Sequence, residues 1–139
     1  MNKGPVLIVN DDVDDKELLQ EAWSELGFPN DLLFFENGNE VLSYLKSEKA
    51  TPFLILCDVN LPSMNGFELK EKILQDTSAN YKSIPFVFWS AAVSKSQIEK
   101  SYDLGGNGFF LKENTFDGIK KSLSDIVGYW SKSIVPDNY

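Results

Sequence analysis

A chain of 139 residues, 42% of them hydrophobic, is long enough for one ordinary domain with a buried core and too short for two. The chain has no histidine, which excludes histidine-based zinc sites and histidine general bases. Its net charge of −8 and its lack of arginine argue against nucleic-acid binding. The single cysteine, Cys57, excludes an internal disulfide. Without a signal-peptide pattern or an apolar run of about 18–20 residues, we expect a cytoplasmic protein that spans no membrane.

Short apolar runs alternate with longer segments of helical spacing along the chain. The runs predict strands at 6–9, 32–35, 53–57, 85–89 and 108–111. Because these runs are nearly continuous, we expect both faces of the sheet to be covered. The spacing of Leu18, Ala22 and Leu26 predicts the first helix, and the stripe from Ile119 to Trp130 predicts the last. Weaker helices are predicted near 38–48, 65–76 and 95–104, followed by a short tail over 131–139.

Strands alternating with helices favour a doubly wound α/β fold with a five-stranded parallel sheet. Five strands suit the flavodoxin-like order 2-1-3-4-5, although the alternation alone does not reveal the order. We expect residues 1–139 to form a single domain with no output domain after it.

Polar residues follow four of the five apolar runs. Asp11 and Asp12 follow the first run, Asp58 the third, Ser90 the fourth and Lys112 the fifth. Ligands bind at the carboxyl ends of the strands in such sheets, so these side chains are expected to meet. Carboxylates that lie close together favour a hard cation such as Mg²⁺, and a carboxylate there can attack phosphorus.

Each of these residues also has a structural interpretation. Asp11 and Asp12 are favourable N-caps for the helix that follows. Asp14 and Asp15 are interpreted as first-turn charges that the helix dipole favours, rather than as ligands. It is the joint occurrence of Asp58, Ser90 and Lys112 at successive strand ends that indicates a site.

Three stretches, 54–66, 84–91 and 105–112, resemble the receiver domain of two-component response regulators, the CheY-like family. The resemblance runs from about residue 5 to 130. It implies that Asp58 is phosphorylated by a histidine kinase or a phosphotransfer protein, with Mg²⁺ or Mn²⁺ as cofactor. The implied roles are metal ligation by Asp11, by Asp58 and by the backbone carbonyl of Asn60, with Asp12 as a further candidate; phosphoryl contact by Ser90 and Lys112; and a switch aromatic at Phe109.

Two positions depart from the family pattern. Asn10 stands where the first acid of the acidic pair is usual, so we expect weaker Mg²⁺ binding. Glu113 stands where a proline, often preceded by a cis bond, is usual. We therefore expect either a trans Lys112–Glu113 bond or a strained cis bond, and a less firmly placed Lys112.

Other functions compete with this one. A pseudo-receiver would bind proteins without phosphorylation, and the two departures favour it, whereas Asp58, Ser90 and Lys112 oppose it. A haloacid-dehalogenase-type phosphatase needs an acid where Asn60 stands. Dinucleotide, Walker A and EF-hand motifs are not present in the sequence. The expected output is a protein contact, with an unidentified target or with a second copy of the chain as a homodimer, and helix four with Tyr102 is the predicted contact face.

Overall fold

The computed structural model describes residues 4–47, 50–76 and 81–135, apart from the side chain of Lys82. Within these ranges strands and helices alternate in the order β1 (Val6–Val9), α1 (Val13–Leu26), β2 (Leu32–Phe35), α2 (Gly38–Leu45), β3 (Leu54–Cys57), α3 (Gly66–Gln75), β4 (Phe86–Ser90), α4 (Lys95–Asp103), β5 (Phe109–Leu111) and α5 (Phe116–Lys132). The predicted alternation is confirmed. Residue 48 of the second predicted helix and residues 136–139 of the predicted tail lie outside the described residues.

The sheet has the order β2-β1-β3-β4-β5, and every neighbouring pair of strands is parallel. This confirms the flavodoxin-like order. Val9 at the end of β1 pairs with Phe35 on one side and Cys57 on the other. The strand order therefore reverses between β1 and β3, and the crevice that such a reversal creates lies beside the residue after Cys57.

Burial divides the sheet into a covered centre and less covered edges. All residues of β1, β3 and β4 are buried, whereas β2 is half-buried and β5 exposes Phe110 and Leu111. The expectation that every strand is covered on both faces is therefore wrong for the edges. β5 is an edge strand, and α4, which precedes it in the chain, has Ser101 as its one buried described residue.

Two apolar cores fill the spaces on either side of the sheet. On one face α1 and α5 contribute the predicted stripes, including Ala22 and Leu123, and the half-buried Trp130 packs against them. On the other face α2 and α3 cover the sheet with residues such as Val41 and Leu69. Trp130, the last residue of the predicted stripe, thus contributes to this core.

Each α-helix begins at a polar N-cap whose side chain accepts a hydrogen bond from a backbone N–H of the first turn. The caps are Asp12, Asn37, Asn65, Ser94 and Thr115. Because the first N–H groups of a helix have no partner within it, such caps fix where the chain turns from strand to helix. The caps thereby set where each loop at the carboxyl edge of the sheet ends.

Candidate functional site

Asp58 lies at the carboxyl end of β3. Its backbone N–H donates to the carbonyl of Val9 at 3.0 Å, which places it beside the end of β1. Its carboxylate is 16% exposed. The loop returns tightly because Gly66 donates to the carbonyl of Val59 at 2.9 Å, and a Cβ at Gly66 would lie 2.5 Å from the Asp58 carbonyl oxygen. Asp58 is thus held in a fixed place with its side chain still accessible.

Ser90 ends β4 and is fully buried. Its hydroxyl donates to Asp58 Oδ1 at 2.7 Å and accepts from the Val59 N–H at 2.8 Å. Oδ1 also accepts from the Asn60 N–H at 3.0 Å. One oxygen of the Asp58 carboxylate is therefore occupied by two donors. Ser90 is thus at hydrogen-bonding distance from the Asp58 carboxylate in this structure.

Lys112 follows β5, and its backbone N–H donates to the Ser90 carbonyl at 2.8 Å. Its side chain is only 6% exposed, and its ammonium lies 3.7 Å from Asp58 Oδ2. The ammonium also lies over the ring of Trp89, 5.6 Å from the centroid. The predicted site residues Asp58, Ser90 and Lys112 thus converge from three strand ends.

The Lys112–Glu113 bond is trans, because no cis peptide bond occurs in the part of the chain that the structure describes. This agrees with the prediction. The expected loosening of Lys112 is wrong, since its side chain is enclosed and has carboxylate partners.

Asp15 is the residue that the sequence interpretation undervalued. Asp14 is an exposed first-turn charge as predicted, but Asp15 Oδ2 lies 3.3 Å from the Lys112 ammonium and accepts from the Asn10 amide at 3.1 Å. Side chains in an α-helix lean toward its N-terminus, so the third residue after the cap can reach back to the sheet edge. The spacing between Asp12 and Asp15 was therefore the available signal.

Asp12 caps α1, since its Oδ1 accepts from the Asp14 and Asp15 N–H groups at 2.9 and 3.2 Å. The capping interpretation is confirmed for Asp12, and its role as a metal ligand stays a prediction. Asp11 is exposed. Asn10 is buried, and its Oδ1 accepts from the Asp12 N–H at 3.0 Å. Both polar ends of the Asn10 amide are therefore used within the loop.

The donor set fits a hard cation that keeps water ligands. Among the described residues there is no group of three or more carboxylate, thiolate or imidazole side chains that could enclose a metal. Asp11, Asp58 and one backbone carbonyl are oxygen donors of the kind that Mg²⁺ accepts alongside several waters. Beside Asp11 a cleft of about 230 Å³ is lined by Glu36, Glu40 and Lys16, among others, so its wall is mainly negative.

Cys57 precedes the nucleophile candidate but takes no part in its chemistry. Burial raises the pKa of the Cys57 thiol well above its ordinary value, and the charge of Asp58 raises it further. The thiol is fully buried and donates to the Asp58 carbonyl at 3.2 Å. It therefore remains protonated and serves as a small core residue.

Comparisons with known proteins identify the family. A family model described as the response regulator receiver domain matches residues 6–124. The chain belongs to this family. Chemotaxis protein CheY1 of Helicobacter pylori is 28% identical over 123 residues, which cover 88% of this chain and 96% of CheY1.

Two solved structures are similar over nearly the whole chain. The phosphorylated cyanobacterial phytochrome response regulator RcpA is 29% identical with a TM-score of 0.85, covering 98% of this chain and 99% of RcpA. The Mn²⁺-bound form of response regulator Rcp1 is 26% identical with a TM-score of 0.82, covering 97% of this chain and 99% of Rcp1.

Membership places the chain in two-component signalling. Phosphorylation on aspartate is the general property of receiver domains, and histidine kinases and downstream proteins are their general partners. Receivers are signalling proteins and not conventional enzymes, and divalent metal binding is consistent with the family. None of the helices described here has the length and apolar character needed to cross a bilayer.

Phe109 is the predicted switch aromatic of this receiver. Its half-buried ring stacks on Phe88, with centroids 5.9 Å apart and an interplanar angle of 24°. It also lines a groove of about 540 Å³ between α4, β5 and α5, together with Tyr102, Tyr129 and Trp130. Phe109 thus connects the core below the phosphoacceptor with an exposed aromatic surface, and its switching role stays a prediction.

Proposed function

We propose that Asp58 accepts a phosphoryl group from a histidine kinase or a phosphotransfer protein, and that the receiver's own side chains promote the transfer with Mg²⁺ or Mn²⁺. The observation that supports this is the convergence of the Ser90 hydroxyl and the Lys112 ammonium on the two oxygens of one carboxylate. Phosphoryl transfer needs mainly positioning and charge neutralisation, and this set supplies both.

The contacts distinguish the two oxygens of Asp58. Oδ1 accepts hydrogen bonds from Ser90 and from the Asn60 N–H, so two donors fix its position. Oδ2 faces the Lys112 ammonium at 3.7 Å and is the oxygen we assign as the nucleophile. A lone pair of Oδ2 forms the bond to phosphorus as the phosphorus–nitrogen bond to the donor breaks. The electron pair of the broken bond leaves with the donor imidazole. The product is an acyl phosphate whose oxygens lie within reach of Lys112.

Asp11, Asp58 and the Asn60 carbonyl are the residues that would hold the divalent cation. When bound, the cation supplies positive charge to the phosphoryl oxygens. The Mn²⁺-bound structure of Rcp1 supports a divalent cation in a similar receiver. The oxygen donors of this chain favour Mg²⁺ or Mn²⁺ over softer metals.

The proposed output is a change in protein contacts at the face formed by α4, β5 and α5. Transfer of the Ser90 hydrogen bond from Asp58 to a phosphoryl oxygen is the proposed local event. Ser90 and Phe109 lie on adjacent strands, and Phe88 two residues before Ser90 stacks on Phe109. A change at Ser90 can thus bias the ring and the exposed surface beside Tyr102. A downstream protein or a second copy of the chain would read that surface.

Incubation with acetyl phosphate and Mg²⁺, followed by intact-mass measurement, tests this proposal. We expect wild type to gain the mass of one phosphoryl group, and we expect Asp58→Asn to gain none. Chelation of the metal with EDTA should abolish the gain. Circular dichroism of Asp58→Asn confirms that the variant is folded.

The pseudo-receiver is the alternative outcome of the same experiment. It predicts a folded wild type that gains no phosphoryl group and binds its partner equally well as wild type and as Asp58→Asn. Phosphorylation at another residue, shown by peptide mapping, would likewise contradict the assignment of Asp58.

A further inference from the structure

Lys112 has two carboxylate partners, and the nearer one is not the phosphoacceptor. Its ammonium lies 3.3 Å from Asp15 Oδ2 and 3.7 Å from Asp58 Oδ2. The Lys112 side chain is 6% exposed and that of Asp15 is 25% exposed. Water therefore screens this pair less than it screens a surface ion pair.

Asp15 is held in this place from two other directions. The Asn10 amide donates to Asp15 Oδ2 at 3.1 Å, and the Asp12 carboxylate accepts from the Asp15 backbone N–H at 3.2 Å. Asn10 is itself fixed, because its Oδ1 accepts from the Asp12 N–H. The carboxylate of Asp15 is therefore directed at Lys112 by the loop after β1 and is not a freely moving surface charge.

We propose that Asp15 is a positioning residue that restrains Lys112 in the unphosphorylated receiver and competes with the phosphoryl group for it. This inference rests on the proposed function of Lys112 as the cation that contacts the phosphoryl group. An ammonium is a compact charge, so a carboxylate at 3.3 Å neutralises much of the attraction that an arriving anion would feel.

The charge of Asp15 shifts the equilibrium between the unphosphorylated and the phosphorylated receiver in one direction. Before phosphorylation it stabilises Lys112 without opposing any bound group. After phosphorylation its negative charge lies near the phosphoryl oxygens and shares their cation. Only an interaction that differs between two states shifts the balance between them, and this one favours the unphosphorylated state.

A purely structural ion pair makes a different prediction. In that case the contact would only tie α1 to the end of β5, and its loss would lower the free energy of unfolding without changing phosphoryl capture. Affinity for a phosphoryl analogue distinguishes the two roles, whereas stability alone does not.

The test compares wild type, Asp15→Asn and Asp14→Asn at a Mg²⁺ concentration that saturates each protein. Asp14 is a matched control because it is the exposed neighbour in the same helical turn, and its substitution changes the net charge equally. The first measurement is the beryllofluoride concentration at half-saturation, which tryptophan fluorescence can report because Trp89 lies beside Lys112. The second is the second-order rate constant for phosphorylation by acetyl phosphate.

We expect Asp15→Asn to lower the half-saturating beryllofluoride concentration by roughly threefold to tenfold and to raise the rate constant correspondingly. Asp14→Asn should stay within about twofold of wild type, as expected of a screened charge. Should Asp15→Asn fail to fold, Asn10→Ala removes the amide that directs Asp15, and a smaller shift in the same direction is expected.

Two results would overturn the inference, and they are distinguishable. If wild type is phosphorylated at Asp58 but Asp15→Asn, or Asn10→Ala in its place, shows unchanged affinity and rate, Asp15 does not restrain Lys112. An equal shift in Asp14→Asn would show that only the net charge matters. A wild type that takes no phosphoryl group would instead refute the proposed function on which the inference rests.

Discussion

Replacing Asn10 by aspartate restores the acid that is usual at that position, and the structure predicts that this costs stability without metal. In wild type the Asn10 amide donates to Asp15 Oδ2 at 3.1 Å. The substitution removes that donor and places a second carboxylate against the first. Asp58 already lies at the same sheet edge, and the Lys112 ammonium lies 3.3 Å from Asp15 and 3.7 Å from Asp58.

The magnitude follows from the geometry. Two like charges about 3 Å apart repel by about 5 kcal/mol at an effective dielectric constant of 20. Asp15 is one-quarter exposed and can rotate toward water, which relieves most of that repulsion. The lost hydrogen bond to a charged group contributes about 1.5–3 kcal/mol. We therefore expect Asn10→Asp to lower the free energy of unfolding by about 2 kcal/mol in EDTA.

Mg²⁺ should offset part of this loss. An additional carboxylate should strengthen Mg²⁺ binding by about tenfold, equivalent to about 1.4 kcal/mol. Ligand binding to the native state stabilises it, so the gap between wild type and Asn10→Asp should narrow in MgCl₂. Urea denaturation in EDTA and in MgCl₂ measures both effects, with isothermal titration for the metal.

The double substitution Asn10→Asp/Asp15→Asn is the control, because it exchanges the donor and the acceptor and keeps one carboxylate in the pair. It should recover most of the stability lost in EDTA. Equal stability of Asn10→Asp and wild type in EDTA would show that the Asn10–Asp15 contact contributes little. Equal Mg²⁺ affinity would refute the expectation that Asn10 weakens the metal site.

Three further predictions concern residues outside the site. Lys70 is 2% exposed over the Phe86 ring, and burial lowers its pKa, so Lys70→Met should raise the free energy of unfolding by about 1–3 kcal/mol at neutral pH. Because the lowered pKa lets the native state lose the Lys70 proton before the unfolded state does, the stability difference between Lys70→Met and wild type should shrink as pH rises toward 10.5. Urea denaturation across pH measures this difference, and a constant difference would contradict the burial effect. Cys57 should resist iodoacetamide at pH 8 and react in urea, because its thiol is buried with a raised pKa; labelling of the native protein, seen by intact mass, would be inconsistent with this. A Cβ at Gly118 would lie 2.8 Å from the Glu113 Cβ, so Gly118→Ala should lower the free energy of unfolding by about 1 kcal/mol in wild type. In a Glu113→Gly background, which lacks that Cβ, Gly118→Ala should raise it by about 0.5–1 kcal/mol, and thermal unfolding can show the change of sign.

The apolar pattern predicted the elements but not how each strand is covered. Runs such as 32–35 and 108–111 resemble those of the central strands, yet Phe110 and Leu111 are exposed at the edge. A run of apolar residues shows that a strand can be buried. Its place in the sheet depends on contacts far apart in sequence, and the order 2-1-3-4-5 became predictable only through topology rules and the family resemblance.

The site was predictable where side chains follow strand ends directly. Asp58, Ser90 and Lys112 meet because parallel strands deliver their carboxyl ends to one edge. Asp15 was missed because its side chain reaches the edge from within a helix, where an acid in the first turn already has a sufficient local explanation. A residue can satisfy that local preference and still contact a group 97 positions away, as Asp15 does with Lys112.

The Asn10 substitution therefore has a different meaning from the one that the sequence alone suggests. Taken alone, it is a missing metal ligand and favours a pseudo-receiver. In the structure the Asn10 amide donates to Asp15, which pairs with Lys112. The loop after β1 thus stabilises the lysine, and it offers one carboxylate fewer to a cation. A receiver arranged in this way should depend less on metal for its resting structure, and it should need Lys112 to exchange partners before the phosphoryl group is fully stabilised. Asn10 does not by itself imply a loss of phosphorylation, since the Ser90 hydroxyl lies 2.7 Å and the Lys112 ammonium 3.7 Å from the Asp58 carboxylate.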